Sequence, residues 1–445
     1  MTINAPLIPP ELSTDMRSNS AWAGFKSSLW FQTDPTPPAY PKVPDSLDTE
    51  VAVIGAGFAG LSAALALLEQ GVGVAVLEAR QPGFGASGRN GGQVIPFSKH
   101  EPAALCAMYG DEIGRGIVDL TISAADRVFD LIRRHGIDCD AVQTGWLQAS
   151  SKPAGYAALK QRCEVWGKAG AKATWLDGDA IRQYCGSPIF QYGWLLGGGG
   201  TVHPLKYVRG LARAVSSLGG AIHGDSPALS LKPDDGRWVI TTPTGVVKAR
   251  RVILTTNGYT TDLWPGLRQT VVPLYSMQVA TDPLPAAIGA EILPGGQSMT
   301  DALRLIHYFR RDAQGRFIIG ERGPFRDIPR ESDTPRVIGV ARRMYPALNG
   351  VDFPFRWSGK VAMTTDHMPH FHQLAPGLSA ILGFNGRGVA MATTLGQVLA
   401  AACLEGKALS TQFPVTPMRP IAMHSLNLVG IAAMIAYYRL LDRIA

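Results

Sequence analysis

A short apolar run, Val51, Ala52, Val53 and Ile54, leads into Gly55-Ala56-Gly57-Phe58-Ala59-Gly60. Nothing else in the sequence restricts the fold as tightly. The run reads as a buried parallel strand, residues 59–70 as an Ala- and Leu-rich helix, and residues 72–77 as a second buried strand. In a β-α-β unit of this kind each glycine of G-x-G-x-x-G has a task. Gly55 permits the tight turn, Gly57 lets backbone amides approach a pyrophosphate, and Gly60 lets the helix pack close to the strand. The helix N-terminus adds partial positive charge. Glu78, followed by Ala79, ends the second strand roughly 20 residues further on, where a carboxylate accepts hydrogen bonds from ribose hydroxyls and disfavours a 2′-phosphate.

The next segment bears on how long that dinucleotide is. It reads Gly83-Phe84-Gly85-Ala86-Ser87-Gly88-Arg89-Asn90-Gly91-Gly92-Gln93. A nicotinamide enzyme would continue here into another crossover helix. A polar, glycine-dense loop suits a long extended cofactor; a plain surface loop is the alternative. Glycine supplies 50 of the 445 residues, without a G-X-Y period, so collagen is excluded and the clusters carry the information. They lie at 55–60, 83–92, 197–200 and 383–388. With 46% hydrophobic and 17% charged residues, the chain can bury a sizeable core and is not disordered.

The net charge of +7 is spread over the chain, and Arg133-Arg134, Arg250-Arg251 and Arg310-Arg311 are only doublets, so no nucleic-acid partner is expected. The five cysteines are odd in number and form no C-x-x-C, which argues against a disulfide framework and for a reducing, cytoplasmic setting. No secretory leader and no run of 18 apolar residues is visible. His367, His370 and His372 do not have ligand spacing, and Pro369 breaks a helix there, so no metal is expected.

Apolar spacing predicts helices at 112–135, 156–170, 205–218 and 389–404. Strands are predicted at 238–242, 246–248, 252–255, 271–281, 306–311, 316–320, 355–363 and 379–383, with a strand-like stretch at 225–231. Residues 1–48 are proline-rich but carry Trp22, Phe25, Trp30 and Phe31, which predicts an arm docked on the body.

Taken with Glu78, the GASGRNGG loop and the downstream pieces GGTVHP, DAQGRFIIG, WSG, DHMP and GFNGRG, residues 20–415 resemble the D-amino-acid-oxidase-like superfamily of FAD-dependent oxidoreductases. The resemblance implies a mixed α/β fold: a Rossmann-like FAD-binding domain (49–100, 155–265, 355–415) with an inserted antiparallel-sheet substrate domain (101–154, 266–354). It implies that Ser87, Gly88, Arg89, Asn90, Gly91, Gly92 and Gln93 follow the pyrophosphate and flavin. It further implies that Ala228 holds the adenine, that Thr256, Asn257 and Gly258 form a second cofactor turn, and that Phe384, Asn385, Gly386, Arg387 and Gly388 approach the flavin's pyrimidine end. Covalent relatives carry a His or Cys that is missing at the matching positions here, so the FAD is expected to be non-covalent. Sarcosine-oxidase-like relatives place a basic residue shortly after the last turn; this chain has Val389 and Ala390, which weakens an N-methyl amino-acid substrate.

The implied chemistry is hydride transfer from the carbon beside nitrogen to flavin N5, giving an imine that water hydrolyses. The substrate is a small amine, of the gamma-glutamylputrescine kind or another, or alternatively an amino acid such as pipecolate or a D-amino acid, with oxygen or quinone accepting the electrons. Tyr275, Gln278, His307 and Trp357 are the candidate pocket residues, although Tyr275, His307 and Trp357 fit a structural role too. Arg310 would hold an acidic substrate end or lie on the surface. The apolar tail within 416–445 reads as a helix that docks on the body, joins an oligomer or touches the inner membrane face.

Overall fold

A computed structural model describes residues 19–324, 326–405 and 413–424, and beyond these residues 430, 434, 435, 437 and 438. Its frame is two eight-stranded sheets. In the first, Ser46–Ile54 lies between Val246–Leu254 and Val74–Leu77, and both pairings are parallel. Ala221–His223 and Leu378–Leu382 extend the parallel sheet, His370–Ala375 closes one edge antiparallel, and the hairpin of Ser230–Asp234 and Arg237–Thr241 hangs from Val246–Leu254.

The leading apolar run is continuous because both of its faces are buried. Val51 and Val53 point into the core shared with the Phe58–Leu68 helix, while Ala52 and Ile54 point into a second core with Trp238, Ile240 and Val247. The Phe58–Leu68 helix also packs on the Gly388–Glu405 helix. A Cβ at Gly396 would sit 2.3 Å from the Ala59 carbonyl oxygen, so glycine is what lets these helices touch.

The second sheet runs in the order Phe355–Met363, Val272–Ala280, Phe317–Arg322, Tyr308–Arg311, Ser298–Asp301, Trp146–Ser150, Tyr192–Leu196, Ala173–Asp177. The segments 173–196 and 355–363, assigned above to the cofactor-binding portion, therefore supply strands to this sheet instead. Local apolar pattern identifies a strand but says nothing about its pairing partner. Two further expectations change. The stretch before Ser230 is irregular chain rather than strand, and Val246–Leu254 is one strand rather than two.

The arm is integral to the core. Asn19–Lys26 and Leu29–Thr33 are helical, and Phe25, Leu29 and Trp30 are fully buried. The Ser28 hydroxyl caps the second helix by accepting from the Phe31 N–H at 3.2 Å. Asp34 then pairs with the buried Arg209 at 2.8 Å. At the other end, residues 416–423 are irregular chain and turn. Most of the expected apolar tail lies outside the described residues, but Ile435 is buried against Leu274 and Leu305. Among the described residues no helix is long and apolar enough to cross a membrane.

Candidate active site

A cavity of about 750 Å³ takes its walls from both sheets and reaches from the first glycine turn to the Val272–Ala280 strand. Of the cofactor residues expected from sequence, Gly55 to Ala59, Glu78, Ala79, Ser87, Arg89, Asn90, Gly91, Gln93, Ala228, Thr256, Asn257 and the 384–388 turn all line it. Gly60, Gly88, Gly92 and Gly258 do not. For the first three, close packing is the reason for glycine: an added Cβ would lie 2.0 Å from Gly55 O, 2.2 Å from Gly83 O and 2.1 Å from Val202 O. Gly258 faces the Lys360 side chain.

Glu78 closes the first turn from behind, accepting the Ala56 N–H at 2.8 Å and the Arg80 N–H at 3.1 Å. Burial pushes its pKa up, and these amide donors hold it back. The Ser87 hydroxyl accepts the Phe58 N–H at 3.0 Å, which ties the glycine-dense loop to the first turn of the helix. Arg89 is buried, with its Nε donating to the Phe84 carbonyl at 2.9 Å and its guanidinium 4.9 Å from the Phe84 ring centroid. Its Nη2 donates to the Ala21 carbonyl at 3.3 Å, but its Nη1 has no hydrogen-bond partner, and among the described residues no carboxylate pairs with it. A buried cation left in this state on the cavity wall fits an anionic ligand group.

The peptide of Arg89 is fixed from the second sheet. Its carbonyl accepts from Gln278 Nε2 at 2.7 Å and Trp357 Nε1 at 2.9 Å, residues that are cross-strand neighbours. The next carbonyls are held as well: Asn90 O by Trp30 Nε1 at 2.8 Å and Gly91 O by Arg310 Nε at 2.7 Å. On the far side, Asn257 Oδ1 accepts the Gly383 N–H at 2.9 Å and so joins the turn at 256–258 to the one at 383–388. Asn385, at φ +51°, is locked to Thr364. The Gly388–Glu405 helix begins there, with its N-terminus at the cavity.

The four candidate pocket residues divide. Gln278 lines the cavity, and its Oε1 is buried without a partner. Tyr275 lines it too, but residues three apart on a strand face opposite ways. Tyr275 stands instead beside Lys360, whose ammonium is 5.8 Å from its ring centroid. Trp357 does not line the cavity and acts through the Arg89 carbonyl. His307 is also off the wall: its Nδ1 pairs with Asp301 at 2.6 Å and its Nε2 with Glu321 at 3.4 Å, and Glu321 is bridged to Arg336. The residue facing the cavity here is its neighbour Tyr308, whose hydroxyl bonds Ser276 at 2.6 Å and whose ring covers Gly91 and Gly320. Gly320 stands directly opposite Tyr308 and leaves room for its ring, a pairing that the sequence does not show. Arg310 is neither a substrate anchor nor a surface residue. Burial lowers its pKa to about 10, and it grips backbone carbonyls.

The His307 cluster predicts a pH dependence. Burial opposes the imidazolium, but Asp301 and Glu321 outweigh it and raise the pKa to about 9. The stabilisation is full below about 6.5, the unfolded value, and fades as pH rises through 9. Urea unfolding between pH 6.5 and 9.5 should lose on the order of 2 kcal/mol from this group, and His307→Gln should flatten that loss. Equal pH slopes in the two proteins would refute the assignment.

The family model described as FAD dependent oxidoreductase matches residues 50–402. The chain is 30% identical over 404 residues to gamma-glutamylputrescine oxidoreductase of Escherichia coli, covering 90% of this chain and 94% of that protein. It is also 30% identical over 411 residues to probable oxidoreductase OrdL of Haemophilus influenzae, covering 87% and 90%. Among solved structures, glycine oxidase from Geobacillus kaustophilus superposes with a TM-score of 0.71 at 19% identity, covering 84% of this chain and 99% of that one, which speaks for the fold. The matched length, the identity to these relatives and the cradle itself agree: this chain belongs to the D-amino-acid-oxidase-like family of FAD-dependent oxidoreductases.

Proposed function

We propose that the enzyme oxidises the C–N bond of a small amine, of the gamma-glutamylputrescine kind or another. The observation that carries this reading is the make-up of the chamber beside Asn90 and Gly91. Gln278, Ser276 and Tyr308 face it, and Glu78, at the dinucleotide end, is the only carboxylate on the cavity wall among the described residues. A chamber faced by an amide and two hydroxyls, with no carboxylate beside them, suits hydride loss from a neutral amine; the histidines on the wall, His100 and His367, lie among the cations Lys99 and Arg387. Bound FAD supplies the hydride acceptor. Burial holds the Tyr308 hydroxyl protonated, with its pKa raised, and Ser276 fixes its direction. The unpartnered Gln278 Oε1 is positioned to accept an N–H from the bound amine, because its amide is already pinned to the Arg89 carbonyl. The gamma-glutamylputrescine relative supports an amine substrate. A second reading, an amino-acid substrate, is favoured by the basic side chains on the cavity wall, Lys99 and Arg322 among them.

Anaerobic mixing of the FAD-loaded enzyme with polyamines, gamma-glutamyl amines and cyclic amino acids tests both. Bleaching of the flavin by an amine supports the first reading. Bleaching by amino acids alone transfers the assignment to the second, and a flavin that nothing bleaches removes both. Peroxide release on admitting air then separates oxygen from quinone as acceptor.

A further inference from the structure

The cavity wall carries Arg89, Lys99, Arg162, Arg304, Arg322, Lys360 and Arg387, against one acid among the described residues, Glu78. Part of this excess is already explained: Arg89 belongs to the cofactor loop, and Lys360 lies over Tyr259 and Tyr275. Lys99, Arg162, Arg322 and Arg387 form a further group. Arg387 and Arg162 both approach the Phe97 ring, with guanidinium carbons 5.1 Å and 5.8 Å from its centroid. Lys99 follows two residues later in the chain, and Arg322 stands directly across the sheet from Ser276, the partner of Tyr308.

These cations are under-neutralised. Arg387 Nε, Arg162 Nε and Arg322 Nη1 are buried atoms with no hydrogen-bond partner. Glu101, 3.7 Å from Arg162, is the one carboxylate recorded against any of them among the described residues. They also repel each other. Desolvation, with Arg387 and Arg322 nearby, lowers Lys99 to about 8, and burial with Arg162 lowers Arg387 to about 10. Holding like charges together on a cavity wall is unfavourable unless an anion completes the set.

We propose that Lys99, Arg322 and Arg387 bind a carboxylate carried by the substrate at the end remote from its reacting C–N bond. This rests on the amine-oxidation reading above and narrows it. A free diamine would put its second ammonium against these cations and is excluded. A gamma-glutamyl amine or an ω-amino acid places a carboxylate there. Lys99, on the exposed rim, draws the anion in; Arg322, beside Ser276, sets how deep the amine reaches toward Gln278.

The test pairs substrates that differ only in the remote charge. 5-Aminovalerate, its amide and 1,5-diaminopentane are compared with gamma-glutamylputrescine and its carboxamide in anaerobic flavin reduction. Glutarate, which cannot be oxidised, is titrated separately by calorimetry. The carboxylate forms should show an apparent Kd at least about tenfold below their amides, with the advantage shrinking as salt is raised. Arg322→Gln and Lys99→Gln should each remove most of the advantage through Kd, and both should weaken glutarate binding. Amides or the diamine acting as tightly as the carboxylates, or glutarate binding unchanged in both variants, would overturn the proposal. If no amine bleaches the flavin while glutarate still binds in an Arg322-dependent way, the amine reading fails and the anion site stands. Should Arg322→Gln not fold, Lys99→Gln, altered at the rim, carries the same comparison.

Discussion

Gly60→Ala is expected to yield a protein that purifies without flavin colour and takes up added FAD with an affinity at least about 100-fold weaker. The new Cβ would fall 2.0 Å from Gly55 O, 2.7 Å from Thr255 Oγ1 and 3.1 Å from Val53 Cγ1. The nearest obstacle is backbone and cannot swing aside. Relief requires moving the helix start away from the Ser46–Ile54 strand, and that opens the turn formed by Gly55 and Gly57. Overpacking of this kind costs about 1–3 kcal/mol, occasionally more. The misplaced turn adds the loss of the amides aimed at the pyrophosphate. Titration of stripped protein with FAD measures the effect; a variant that keeps stoichiometric flavin would show that the turn tolerates the methyl group.

Trp30→Ala should have the largest effect on stability, about 3–5 kcal/mol in urea unfolding, as for other buried aromatics. Trp30 is 1% exposed, and its ring meets Trp357, His203 and the Arg310 guanidinium at 5.8, 4.9 and 5.1 Å. The change would also strip the donor from the Asn90 carbonyl, so FAD affinity should fall along with stability. Trp30→Phe separates the two contributions. It keeps most of the packing and loses the N–H, for a cost of about 1 kcal/mol. Unaltered FAD affinity in both variants would mean that the arm does not support the cofactor loop.

How much of this could be read from sequence depended on whether the cause was local. The Gly55 turn, Glu78 and the loop after it were legible because close backbone approach admits only glycine and because strand, turn and helix follow one another directly. The strands at 271–281 and 355–363 were also legible. That they pair with each other, so that Gln278 and Trp357 converge on one carbonyl, was not, because pairing is decided by contacts across long sequence separations. The same limit hid Trp30, which reaches a carbonyl 60 residues away. Face assignment went astray where the pattern was ambiguous. His307 and Arg310 looked like pocket candidates by residue type, yet one is neutralised by Asp301 and Glu321 and the other is spent on the carbonyls of Gly91 and Val202. Tyr308, between them, drew less notice because a tyrosine on a strand is commonplace.

The clamp on the Arg89 peptide also bears on how the protein is made. Both lone pairs of that carbonyl are taken, one by a residue of the Val272–Ala280 strand and one by a residue of the Phe355–Met363 strand. The loop it steadies is translated early, but the last of its restraints arrives only once residue 357 has left the ribosome. The first β-α-β unit is complete in the chain by residue 77, but its leading strand gains its second neighbour only with Val246–Leu254. The clamped loop is complete only when residues 278 and 357 are both in place, so flavin capture is expected to be an event of the nearly finished polypeptide, and its success to report that both sheets have met.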